Sequence, residues 1–158
     1  MAELRGCMFP DALLYHPESH LWFAREEGRV LRVGVTPFGV AIAGEILLFT
    51  PKPEGLALHA GRAFGLLEAG KTVFPVKTPV AARLLASNPA LSESARQMNH
   101  DAYASWLVRL ETDAQTDLSC LLPWAQACGP IERQMNLWRF EHLSGFVPPL
   151  VGEGAKGV

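Results

Sequence analysis

Residues Phe64 to Val80 read FGLLEAGKTVFPVKTPV, and this stretch decides the fold. Apolar runs flank Glu68-Ala69-Gly70-Lys71 on both sides. The simplest geometry is a β-hairpin with Lys71 at its tip. Gly70 permits the positive φ that a tight turn asks for. A hairpin tip points its side chain away from the core. A lysine in a turn is nearly always a plain solvated residue, so the rest of the chain must say whether this one does more.

Working outward, glycine and proline recur every 8 to 15 residues through the first 90 positions, with short apolar runs between them. That rhythm predicts many short strands, as in a sandwich or barrel. The expected strands lie near 20–25, 29–35, 45–49, 62–68, 73–78, 80–87 and 105–111. Two stretches break the pattern. Thr36-Pro37 followed by Phe38, Val40, Ala41 and Ile42 predicts a short helix, capped by Thr36, started by Pro37 and stopped by Gly44. The stretch 91–100, LSESARQMNH, predicts a second helix with Ser92 as its cap.

Composition shifts after Glu111. Thr112 to Thr116 is polar and reads as a linker. Two helices are expected beyond it. One lies near 117–127, capped by Asp117 and limited by Pro123. The other runs from about 130 to 143, with Pro130 at its start and Gly145 past its end. Ile131, Met135, Trp138 and His142 share one face of the second, and Leu137 and Phe140 widen it. This stripe reads as a docking face against the chain's own domain. The closing VGEGAKGV reads as a loose tail.

The chain has 158 residues, of which 49% are hydrophobic and 19% charged, in line with an ordinary soluble globular protein. A formal net charge of −2 argues against a nucleic-acid footprint. No apolar run approaches the roughly 20 residues that span a bilayer, and the first residues lack a signal-peptide pattern. A cytoplasmic protein without nucleic-acid or membrane partners is expected. The three cysteines, Cys7, Cys120 and Cys128, are too few for a disulfide scaffold. Cys120 and Cys128 are not at a common zinc or redox spacing and read as small apolar residues, with a redox pair as the alternative should Pro123 fold the segment back. His16 and His20 have the i, i+4 spacing of helical metal ligands, but Pro17 and the strand pattern argue against a helix there. No phosphate loop, dinucleotide fingerprint or nucleophile elbow is present, so no self-contained enzyme site is visible.

An ordered series of short matches adds to this reading. It starts at Tyr15, passes through His20-x-Trp22 and Val33-Gly34-Val35-Thr36, and continues with Gly44-Glu45-Ile46 and Gly55. Glu68-Ala69-Gly70-Lys71 follows, with Thr78-Pro79-Val80 at the expected distance. Asn88-x-Ala90-Leu91, Asn99-x-Asp101, Tyr103 and Trp106-Leu107-Val108 complete it. From Tyr15 to Glu111 the chain thus resembles the glycine cleavage system H protein family of lipoyl carriers. It departs from the family at Ala69-Gly70, where Ser-Val is usual, and at Thr72-Val73-Phe74-Pro75, Ala82, Ala102 and Ala104.

The resemblance implies a mostly β fold, a barrel-sandwich hybrid of the lipoyl/biotinyl-carrier type, with short helices and a helical C-terminal appendage. The resemblance covers a carrier domain over 15–111; the tail from Thr112 onward has no counterpart in the usual family member, which leaves an N-terminal extension over 1–14 and a linker with a helical C-terminal extension over 112–158. The resemblance makes Lys71 the attachment point of a covalent lipoate; Glu68 has two readings of equal weight, recognition by the lipoylating enzyme or a partner, or a charge that keeps the hairpin soluble. The implied partners are a lipoylating enzyme, a pyridoxal-phosphate glycine decarboxylase, a folate-dependent aminomethyltransferase and a dihydrolipoyl dehydrogenase. The chain is then a carrier and not an enzyme, shuttling an aminomethyl group on lipoyl-lysine. Two other readings stand beside it. One is an H-like lipoate-binding protein serving a sulfur-oxidising, heterodisulfide-reductase-like complex, suggested by Gly70 and the appended tail. The other is a binding module that carries no lipoate.

Overall fold

The computed structural model describes residues 1–70 and 72–148. Twelve strands and two α-helices occur among them. A hairpin of β1 (Ala2–Leu4) and β2 (Cys7–Phe9) comes first. Arg5 and Gly6 form its two-residue turn, both at positive φ (51° and 85°), the twist that suits a tight hairpin. Then come β3 (Leu14–His16), β4 (Leu21–Arg25) and β5 (Val30–Val35). Helix α1 (Pro37–Ala43) leads to β6 (Ile46–Pro51), β7 (Ala57–Leu58), β8 (Ala63–Ala69), β9 (Thr72–Lys77) and β10 (Ala82–Ser87). After two 3-10 turns, β11 (Val108–Glu111), β12 (Leu122–Pro123) and α2 (Trp124–Leu137) close the described chain.

The pairings are antiparallel. Seven strands form one sheet in the order β12-β3-β4-β5-β11-β10-β7, and three form a second in the order β6-β8-β9. This is the expected mostly β architecture with short helices, and an open barrel-sandwich is consistent with it. The expected strands are all present, with ends displaced by up to three residues; the largest shift is at β11, which starts at Val108 and not at 105.

Strand β4 shows why two cores exist. Alternate residues of a strand point to opposite faces. Leu21 and Phe23 face the small sheet and join Val33, Phe49, Phe64, Leu67 and Val76 in the main core. Trp22 and Ala24 face the other way, into a second cluster with Cys7, Phe9, Tyr15, Phe38, Ala127, Ile131, Met135 and Phe140. The N-terminal hairpin and α2 therefore share one core on the outer side of the large sheet. Gly34 is paired with Trp22 across β4 and β5. A Cβ on Gly34 would lie 2.4 Å from the Trp22 ring, so only glycine leaves room for the indole.

Helix α1 follows the sequence closely. The Thr36 hydroxyl accepts the Gly39 N–H at 3.1 Å, Pro37 opens the helix and Gly44 ends it at φ 88°. Three other helix expectations need correction. Residues 91–100 form no α-helix; 3-10 turns at Pro89–Leu91 and Arg96–Asn99 replace it, and Asn88, not Ser92, supplies the capping side chain. The chain is pulled out of helical shape because the Ala95 N–H donates to the Leu47 carbonyl and Asn99 bonds the backbone of Ile46.

The helix expected near 117–127 is absent over 117–123, and only its last four residues are helical, as the start of α2. Residues 117–121 are irregular, with a turn at Ser119–Cys120 and the Asp117 carboxylate accepting the Ser119 N–H, and Leu122–Pro123 pair with β3 as β12. Helix α2 then starts at Trp124 and carries Pro130 in its interior rather than at its start. The proline removes one N–H from the ladder and frees the carbonyl of Gln126, an exposed residue that meets solvent. The helix stops at Leu137, not 143. Arg139 turns to φ 52°, its N–H donates to the Asn136 carbonyl, and the Phe140 N–H donates to the Met135 carbonyl. That is a Schellman stop, and it drives Phe140 into the second core. Ile131 and Met135 are buried on the expected face and Trp138 is half-buried, but His142 lies beyond the helix and exposed. The tail VGEGAKGV lies outside the described residues.

Candidate functional site

Strands β8 and β9 form the hairpin read from the sequence. Ala69 pairs with Thr72, which leaves Gly70 and Lys71 as the two-residue link. Lys71 itself lies outside the described residues. Gly70 is exposed, and a Cβ built on it meets no atom within 4 Å, so the surroundings of the tip are open. The expected positive φ at Gly70 is not adopted. Its N–H instead donates to the Glu45 carbonyl at 3.1 Å, and this bond fixes the backbone orientation from the β6 side.

The foot of the hairpin is held firmly. Ile46, which pairs with Ala69, has its N–H bonded to Asn99 Oδ1 at 2.9 Å and its carbonyl to Asn99 Nδ2 at 2.9 Å. One amide side chain thus satisfies both backbone groups at the free edge of β6. Beside it the Arg96 guanidinium pairs with the Glu45 carboxylate. At the far end the buried Thr78 hydroxyl donates to the Val80 carbonyl at 2.7 Å and makes the corner after β9.

Glu68 is half-buried on the outward face of β8, between Leu48 of β6 and Val73 of β9. It is three residues from Lys71 and on the same hairpin. Sequence reasoning missed Asn99 as the clamp of the hairpin foot. It also missed the outward-facing Leu48, Leu66 and Val73, whose alternation with buried Phe49 and Leu67 and half-buried Phe74 is the sequence signal for them.

The other candidates do not converge. His16 Nδ1 meets the Ser19 hydroxyl at 2.7 Å and its Nε2 meets Glu18 at 3.1 Å, while His20 packs edge-on against Phe38. Burial pushes the pKa of His20 down to about 4, which keeps its ring neutral at physiological pH. Among the described residues no group of His, Cys, Asp and Glu could hold a metal ion. Cys7 is buried, Cys120 is exposed and Cys128 is half-buried, and all three are free thiols. Burial raises the Cys7 thiol to about 12, so it is inert. Among the described residues, no helix is long and apolar enough to cross a membrane.

The family model described as glycine cleavage H-protein matches residues 13–131. The chain belongs to the glycine cleavage H-protein family. Its relatives include a glycine cleavage system H protein of Bacteroides fragilis, 36% identical over 115 residues, which cover 72% of this chain and 90% of that protein. Glycine cleavage system H protein 5 of Aquifex aeolicus is 32% identical over 115 residues, covering 70% of this chain and 78% of the relative. The fold also superposes on the crystal structure of a glycine cleavage system H protein from Mycobacterium marinum. The TM-score is 0.64 at 24% identity, over 77% of this chain and 97% of that one.

Glycine cleavage H proteins are carriers, not catalysts, and bear lipoate in amide linkage to a lysine. An H protein therefore needs a lysine on a rigid, accessible support. At the β8–β9 hairpin the described residues show a closing pair, Ala69–Thr72, an exposed Gly70 and the Asn99 clamp at its foot.

Proposed function

We propose that Lys71 is the lipoyl attachment site and that this H protein shuttles an aminomethyl group between partner enzymes. The observation that carries the reading is the two-residue tip Gly70-Lys71, closed by the Ala69–Thr72 pair, in a chain of the H-protein family. Lipoate in amide linkage there would supply a disulfide on a long arm, able to accept an aminomethyl group and to give it up again.

The chain's own residues do the positioning. Strands β6, β8 and β9 hold the tip, and Asn99 and the Glu45 carbonyl fix the side next to β6. A stiff base keeps the arm's anchor in one place, so the effective concentration of cargo at each partner is set by the arm's reach. Amide formation removes the lysine charge. Glu68 then gives the hairpin flank a negative charge for recognition.

The partners of this reading are a lipoylating enzyme, a pyridoxal-phosphate glycine decarboxylase, a folate-dependent aminomethyltransferase and a dihydrolipoyl dehydrogenase, and a cytoplasmic setting suits them. Residues 15–111 are the carrier unit, and the N-terminal hairpin and α2 are its brace. Incubating the lipoylated chain with glycine and the decarboxylase tests the function. Glycine-dependent gain of an aminomethyl group on wild type, and none on Lys71→Arg, is the expected result. Loading of the Lys71→Arg protein would refute the site, and a lipoylated wild type that glycine fails to load would refute the pathway.

A further inference from the structure

The end of the molecule opposite the hairpin tip collects positive charge. The chain has a formal net charge of −2, yet residues 51–63 and 75–83 hold four cations, Lys52, Arg62, Lys77 and Arg83, against one carboxylate, Glu54. All four cations are exposed. They come from separate stretches, and strand pairing brings them together. Ala63, at the start of β8, pairs with Lys77, and the next carbonyl, that of Phe64, accepts the Lys52 N–H at 2.8 Å. The two lysines therefore stand on either side of the start of β8, two strand spacings or about 10 Å apart. Ala57 of β7 pairs with Arg83, and its carbonyl accepts from the Arg62 guanidinium at 3.5 Å. The Arg83 guanidinium donates to the Gly55 carbonyl at 2.6 Å.

Two further observations separate this patch from an ordinary solvated surface. None of the four cations makes an ion pair among the described residues, whereas Arg5, Arg32, Arg96 and Arg109 each have a carboxylate partner. Both guanidiniums are also anchored to backbone carbonyls two residues apart, so they are oriented before any ligand arrives. A guanidinium held in this way matches a carboxylate through its remaining N–H groups.

We propose that this end is a docking surface for an acidic segment of another protein, which holds the carrier while the tip stays free. The proposal rests on the β8–β9 tip being the working end. Strand β8 runs from Ala63 to Ala69, so the cations and the tip are separated by about 20 Å at 3.4 Å per residue. A partner seated on the cations leaves Gly70 open. Holding one end of the carrier raises the effective concentration of the other end at the holder's active site. A single exposed ion pair contributes little, so a run of carboxylates is the fitting ligand. Other polyanions fit less well. Residues 51–63 and 75–83 contain no Phe, Tyr or Trp on which a nucleic-acid base could stack. None of the large exposed apolar side chains lies there, so a membrane surface finds no side chain to take up.

The test uses the full apo chain and a fluorescein-labelled hexaglutamate peptide, with binding read by fluorescence anisotropy at low salt and at about 0.15 M salt. Binding is read without modification of Lys71, so it fails or succeeds separately from the attachment site. Arg62→Gln/Arg83→Gln should weaken binding about tenfold and Lys52→Gln/Lys77→Gln about threefold, with melting curves that match wild type. Either pair serves if the other folds poorly. Arg25→Gln/Arg29→Gln removes two exposed cations elsewhere and should leave affinity within about twofold. Amide shifts on adding peptide should fall on residues 52–63 and 77–83 and leave Gly70 unmoved. Absence of binding at low salt, an equal loss in the Arg25→Gln/Arg29→Gln variant, or shifts centred on Gly70 would overturn the proposal. Tighter binding of a labelled DNA duplex or of phosphatidylserine vesicles through the same arginines would give the surface to another class of partner and overturn it. A wild-type dimer dissolved by Arg62→Gln/Arg83→Gln would give it to a second copy of the chain, with the same consequence.

Discussion

Asn99→Ala removes the side chain that clamps the foot of the hairpin. In the wild type, Asn99 Oδ1 accepts the Ile46 N–H at 2.9 Å, and Nδ2 donates to the Ile46 and Arg96 carbonyls at 2.9 and 3.0 Å. Ile46 is 0% exposed, so water replaces these partners poorly. An orphaned buried backbone group costs about 1–3 kcal/mol, and two groups lose their partner here. We expect a loss of about 3 kcal/mol in unfolding free energy, read from denaturant midpoints at unchanged m-value. For a chain of this size that corresponds to about 6–12 °C in Tm. Asn99→Asp keeps the acceptor and loses the donor, and should fall between the two. Because Ile46 pairs with Ala69 and the neighbouring Glu45 carbonyl holds Gly70, amide exchange at Ile46 and Gly70 should accelerate in the alanine variant. A loss under about 0.5 kcal/mol with unchanged exchange would refute the clamp.

Three further predictions concern the two cores and pH. Gly34→Ala places a Cβ 2.4 Å from the Trp22 ring and should cost about 3 kcal/mol, with altered tryptophan fluorescence; a wild-type midpoint would contradict the close packing. Met135→Ala, at a 0% exposed position on α2, should cost about 3 kcal/mol, and no change would mean that α2 does not share the second core. Burial lowers His20 to about 4 from an ordinary 6.5, so the unfolded chain binds more protons between those values. Stability from this group is fully present above pH 6.5 and falls as pH drops toward 4, by at most about 3 kcal/mol. His20→Gln should flatten that part of the stability–pH curve; an unchanged curve would place the effect elsewhere.

The legibility of the fold varied along the chain for physical reasons. Strands β4, β5, β6, β8 and β9 were readable because each alternates or runs apolar between Gly and Pro signals. Helix α1 was readable because Thr36, Pro37 and Gly44 act through local backbone chemistry. Residues 91–100 were not, because Asn99 and Ala95 bond to a strand some 50 positions away, and tertiary bonds overrode helix propensity. Helix α2 was displaced because Pro130 was read as a start, whereas the helix tolerates it as its seventh residue, where the carbonyl left without its N–H belongs to exposed Gln126. Strands β1, β2, β3, β7 and β12 were missed because two- and three-residue strands carry no periodic signal. At the candidate site the tip was legible from apolar runs around Glu68-Ala69-Gly70-Lys71. The Asn99 clamp and the outward apolar rows depend on strand register, which no local pattern specifies.

The central claim is that this H protein carries lipoate on Lys71. The most direct measurement is the intact mass of the chain from lipoate-replete cells, followed by peptide mapping. One lipoyl group is expected, on the peptide containing Lys71. An unmodified Lys71, in cells whose other lipoyl proteins are fully modified, would contradict it.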